Sequence, residues 1–350
     1  LSALEGLRLI SCLFIMLLHS SVVPTLLVNV DRYDELFRFY RENPWMDIGY
    51  FTVNIFFIVS GFLTMRELYT LRSSSLGMKQ LIHMFLLRLL RLTPVYFTIL
   101  VIKAVTARGV CTPSGFFKVL FFVNNYEGAG GYCFPDGWSV AVDVHSYLLL
   151  LITFKICDHF KIHIKRALYT LIIVAFVWRF YQVLSLENPI ELPAYITGFG
   201  MHKTRQQFDQ VFNMFNTTGL KLPVITDKEY AVLDRESTKV LVLFQNTYVR
   251  SHLRFGAFIC GALMSFYYQQ NSQMMTKNNK KRVEGLWRYT LLTVSLAVCI
   301  YHGYYGAHTA NPKWTTYNQY HMAAEHMSFS CAISYIIYCV VTAQRTSGFL

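Results

Sequence analysis

Arg8 and His19 stand eleven residues apart inside an apolar run over residues 7–27. On a helix, eleven residues make about three turns, so both side chains share one face, roughly 16 Å apart along the axis. Such a face holds a cation near one membrane surface and an imidazole near mid-depth. An ionisable group in a span costs on the order of 2.5–3.5 kcal/mol at the helix centre, so it normally faces a protein or water-filled interior and has a task there. A neutral imidazole can accept a proton, which makes His19 a candidate general base. The competing reading is a flanking Arg and a packed His with a local partner.

Two more stretches carry usable side chains. Arg88 and Arg91 are three apart and share a helix face at the cytosolic end of a span over 92–105, level with Arg8. Three guanidinium groups at one depth suit phosphate oxygens in pairs, although flanking positive charge would look the same. Trp138-Ser139 opens a further span that continues through Asp143 and His145 to Tyr147. Asp143 and Tyr147 share a face and His145 points elsewhere. An intramembrane carboxylate needs a partner, and orienting His19 would supply one if the first and fourth spans adjoin; otherwise Asp143 caps the helix start. His321 and Glu325 share a face in the last span, with His326 beside them, and line a cavity; two same-face ligands without a third give no metal site.

The elements that must position these groups follow from composition. Of 350 residues, 54 % are hydrophobic, 16 % aromatic and 15 % charged, too apolar for a soluble domain of this length. The expected class is all-α, a polytopic transmembrane bundle, with spans near 7–27, 49–65, 92–105, 138–156, 168–184, 253–268, 287–304 and 321–342. Pro94 sits in the first turn of the third span, or kinks it if that helix starts earlier, near Lys79. A semi-apolar stretch over 116–123 reads as a short helix at the interface or dipping into it. The net charge of +12 comes from short basic clusters between spans and no basic, aromatic-interleaved module appears, so nucleic acid is not an expected partner. Lys and Arg are dense after even-numbered spans, which places Leu1 and the basic loops in the cytosol.

On that orientation, residues 185–250 form a long lumenal or extracellular loop, with Asn216-Thr217-Thr218 as a glycosylation acceptor. Cys111 and Cys133 occupy another lumenal segment, where oxidising conditions let a disulfide persist, and are expected to be bonded. Cys12, Cys260, Cys299, Cys331 and Cys339 fall inside spans and pack there. The chain starts at Leu1 rather than Met and stops just after an apolar run, so it reads as a fragment open at both ends.

Taken in order, these stretches resemble the acyltransferase 3 family, and within it the animal nose-resistant-to-fluoxetine branch. Leu4-Glu-Gly-Leu-Arg8 with His19 is similar to the family's R-x(10)-H signature. Phe56-Phe-Ile-Val-Ser60-Gly61-Phe62-Leu63 is similar to its F-F-x-x-S-G-F-L span, and Arg88-Leu-Leu-Arg91-Leu-Thr-Pro94 to its R-x-x-R-L-x-P segment. Trp138-Ser139 through Asp143 to Tyr147 resembles W-S-L-x-x-E-x-x-F-Y, with Asp143 in place of Glu and Ser146 in place of the aromatic. Arg254-Phe-Gly256 through Gly261 resembles R-x-G-x-x-x-x-G. The match covers essentially residues 1–350 as a single membrane domain, about eight spans of a roughly ten-span core.

The resemblance implies acyl transfer from a coenzyme A thioester or similar donor to a hydroxyl or amine acceptor at the membrane. His19 would be the general base with Asp143 behind it, and Arg8, Arg88 and Arg91 would hold the donor. Ser60, Gly61, Trp138, Ser139 and Tyr147 would support them. No bound cofactor is expected beyond acyl-coenzyme A as donor substrate, and the implied partners are membrane lipids, that donor and an acceptor. The membrane is that of the endoplasmic reticulum or the cell surface. The alternative is a lipid or xenobiotic transporter that keeps the fold without turnover.

Overall fold

The apolar runs of the sequence are helices in the computed structural model, which describes residues 2–27, 48–71, 77–106, 112–126, 137–185, 250–275, 285–308 and 316–346. In chain order they are α1 (Ser2–Leu27), α2 (Ile48–Leu71), α3 (Met78–Thr106), α4 (Pro113–Leu120), a 3-10 turn (Asn124–Tyr126), α5 (Trp138–His159), α6 (Ile164–Leu184), α7 (Ser251–Met275), α8 (Gly285–His308) and α9 (Thr316–Thr346). No strand occurs among the described residues. Stretches within α2, α3, α5, α6 and α9 are long and apolar enough to cross a membrane, so the chain is a multi-pass helical bundle. Cys111, Cys133, Asn216 and nearly all of 185–250 lie outside the described residues, as do the side chains of His19 and His321.

The third span starts earlier than its most apolar part. Leu81 and Met84 recur at helical spacing and are buried, so α3 begins at Met78 and Pro94 falls inside it. Arg88 and Arg91 therefore sit within the helix rather than at its start. The stretch near 116–123 is the short α4, opened by Pro113 and by the Thr112 hydroxyl, which accepts from the Gly115 N–H at 3.0 Å. Beyond it the chain reverses at Phe122, whose φ of 60° is held by its ring stacking on Tyr96 at 5.2 Å.

The bundle is built around α2. Of its span, 67 % is buried, against 11 % for that of α3. Lipid tails are as apolar as Leu, so helices in a membrane associate through close packing and polar contacts rather than hydrophobic burial. The crossing of α2 with α7 shows it. A Cβ added at Gly61 would stand 1.9 Å from the Phe258 carbonyl oxygen, and one at Gly261 1.9 Å from that of Ile58. The two backbones touch there, and only glycine permits it. Around this pair, α1 packs mainly on α2, α6 and α9 on α7, and α8 on α9. Leu9, Met16, Leu90, Val95, Ile173, Val177 and Ile300 are exposed, the surface a bundle offers to lipid.

Candidate functional site

Three of the stretches picked from the sequence meet at one point. Ser60 on α2 donates to Asp143 Oδ1 on α5 at 2.7 Å. Arg88 on α3 reaches Asp143 Oδ2 through Nη2 at 2.6 Å and through Nε at 3.2 Å, and its Nη2 also contacts the Ser60 hydroxyl. Beneath the guanidinium lies the face of Tyr147, 4.4 Å from Cζ, one turn along α5 from Asp143. The carboxylate is thus committed to Arg88 and Ser60, six residues into its helix, and does not cap the helix start. Side-chain exposures of 23 % for Arg88 and 17 % for Asp143 leave this ion pair reachable. The arrangement is charge-neutral: it holds the guanidinium by three of its five N–H donors, those of Nε and Nη2, and leaves the Nη1 protons for another acceptor. Arg91, one turn further, is exposed.

A second polar set lies deeper and contains residues that the sequence did not single out for chemistry. Arg254 on α7 donates through Nη1 to Asn54 Oδ1 on α2 at 3.0 Å and to His326 Nδ1 on α9 at 2.6 Å. A guanidinium can only donate, so His326 Nδ1 is the bare nitrogen of a neutral ring and Nε2 carries the proton. Nε2 faces Glu325 Oε1 at 3.5 Å, and the same oxygen lies 3.7 Å from Arg179 Nη2 on α6. Arg179 is 1 % exposed and Arg254 2 %. Trp138 lies under Arg254 at 5.4 Å, and the Phe51 ring is 5.4 Å from His326. This network joins α2, α6, α7 and α9.

The remaining candidates are placed as follows. Arg8 is paired with Glu5 at 3.1 Å on the exposed side of α1. His19 lies on α1, which packs on α2 and α9; its ring is outside the described residues. Gly61 serves the α2–α7 crossing, Ser139 is half-buried in the first turn of α5, and Trp138 and Tyr147 each offer a ring face to a guanidinium. Arg179 could have been found from sequence, because an Arg within an apolar span marks a buried partner. Among the described residues, no three His, Cys, Asp or Glu side chains gather as metal ligands would.

A helical bundle that turns its charged and hydrogen-bonding groups inward, with apolar side chains outside, defines an integral membrane protein whose chemistry is internal. The family model of the acyltransferase 3 domain, described as an acyltransferase domain, matches residues 1–349. The chain belongs to that family, which makes a membrane acyltransferase its general class. Comparison with curated proteins returned no match, and neither did comparison with solved structures.

Proposed function

We propose that this protein moves an acyl group from a coenzyme A thioester or a similar donor to a hydroxyl or amine acceptor, with His19 as the general base. The observation that carries the reading is the convergence of Ser60, Arg88 and Asp143 from three separate helices in a chain matched along 1–349 by the acyltransferase domain. Arg88 and Arg91 supply the donor's phosphate contacts, with Arg8 as a third. Asp143 acts through Arg88: it orients the guanidinium and offsets its charge, so that Nη1 meets the donor in a fixed geometry. His19 takes the acceptor's proton as its oxygen or nitrogen attacks the carbonyl.

The test is a panel of acyl-coenzyme A donors offered to purified protein in lipid vesicles, with products read by mass spectrometry. His19→Ala should lower transfer by about 10²–10⁴, the usual worth of a positioned base, while the protein stays folded and inserted. Arg88→Ala should raise the donor concentration required. Full transfer by well-folded His19→Ala would remove the mechanism.

A further inference from the structure

Asp143 and His145 are two residues apart on α5 and so point to different sides of it. Asp143 faces α2 and α3; His145 faces the start of α7, where Ser251 is the first residue. Ser251 Oγ lies 2.7 Å from His145 Nδ1 and 2.7 Å from Asn125 Nδ2. An amide nitrogen only donates, so the hydroxyl oxygen accepts from Asn125. With His145 in the tautomer that carries its proton on Nε2, the hydroxyl's own proton has Nδ1 as its acceptor. That is a nucleophile hydrogen-bonded to a base, with the base's ring boxed in by Tyr126 at 6.1 Å.

The surroundings fit a reacting carbonyl. Asn124, next to Asn125 in the 3-10 turn, is 1 % exposed, and neither its Nδ2 nor its Oδ1 has a hydrogen-bond partner among the described residues. A buried amide left unsatisfied calls for a partner outside the described residues, and a carbonyl oxygen gaining negative charge would be one. Ser251 also opens a helix of 25 residues, whose N-terminal N–H groups favour negative charge on a nearby oxygen. Tyr126 stacks on His252 at 5.7 Å, and Trp178 meets that ring edge-on at 5.6 Å, which walls the cluster on its outer side.

We propose that Ser251 is a second catalytic residue, which takes the acyl group as an oxygen ester with His145 as its base. The inference rests on the acyl-transfer reading and divides it into two steps. In the first, Ser251 Oγ bonds to the thioester carbonyl carbon and its proton passes to His145 Nδ1. The carbon–sulfur bond breaks and the thiol leaves as thiolate. In the second, the acceptor bonds to the ester carbonyl and gives its proton to His19. The bond from carbon to Ser251 Oγ breaks, and the serine regains the proton held by His145. Overall, one ester or amide, one thiolate and one proton are formed.

A fluorophosphonate probe tests the serine without requiring turnover. With the full chain in lipid vesicles, peptide mass spectrometry should find the phosphonyl adduct on Ser251, with loss of fluoride. His145→Gln should slow its formation at least about 10²-fold, and Ser251→Ala should abolish both the adduct and acyl transfer. Ser251→Cys, labelled by iodoacetamide, keeps the test decisive if Ser251→Ala fails to fold. No adduct on folded wild-type protein, or full transfer by folded Ser251→Ala, would overturn the proposal. An adduct formed by protein that turns over no thioester would uphold the serine and remove the acyl-transfer reading instead; transfer with no adduct would do the reverse.

Discussion

The Arg88–Asp143 pair and the Arg254–His326–Glu325–Arg179 network are both ionic, both inside the bundle, and differ in what surrounds them. Arg88 and Asp143 keep about a fifth of their side-chain surface accessible and meet at 2.6 Å. Arg179 and Arg254 are sealed, and the contacts to Glu325 are 3.5 and 3.7 Å. In the first pair both partners stay partly accessible; in the second the two guanidinium groups are sealed and only Glu325, 19 % exposed, keeps accessible surface. A buried charge with one partner removed is strongly destabilising, whereas a partly exposed pair is screened by solvent. The same chemistry is therefore closed around both guanidinium groups in one place and partly accessible in the other.

Four substitutions sharpen this contrast. Gly61→Leu should have the largest effect, because it drives a side chain into the Phe258 carbonyl and disturbs the helix that carries both Ser60 and Asn54; a loss of about 3 kcal/mol or more is expected, seen as a lowered Tm in detergent. Arg179→Met should follow. It removes the guanidinium facing Glu325 and costs up to about 3–5 kcal/mol, with part recovered when Glu325→Gln is added. Asp143→Asn should cost only about 1 kcal/mol of stability but raise KM for the donor about tenfold, since the amide cannot hold Arg88 by charge. Arg91→Ala should leave Tm unchanged and raise KM a fewfold. A larger drop in Tm for Asp143→Asn than for Arg179→Met would invert the assignment of the two regions.

The helices were legible because apolar runs of spanning length are a strong signal, Arg88 and Asp143 were legible as side chains that lipid does not tolerate, and Ser60 only through the family resemblance. Their pairing was not. Sequence gives the face of a helix but not its neighbour: Asp143 was offered to His19, whose ring lies outside the described residues, and the geometry shows Arg88 and Ser60 on it. The start of α3 was left open between Leu92 and Lys79 because residues 78–91 are basic and half apolar, which reads as flanking charge until Leu81 and Met84 are seen packed. Ser251 gave no signal at all: a serine before a span is ordinary, and only Asn125 and His145, more than a hundred residues earlier, give it meaning.

The close crossing of α2 and α7, with Gly61 against Phe258 and Gly261 against Ile58, also fixes an order of events in synthesis. The two glycines are 200 residues apart in the chain, and translation at about 5–20 residues per second needs roughly 10–40 s to cover that interval. During this time α2 is already made and its partner does not exist. Asn54, whose hydrogen bonds run to α7 and α9 in the finished protein, spends that interval without them. The helix at the centre of the fold is thus among the first produced and among the last completed, and chaperoning of its polar face during insertion is a requirement set by where its partners are encoded.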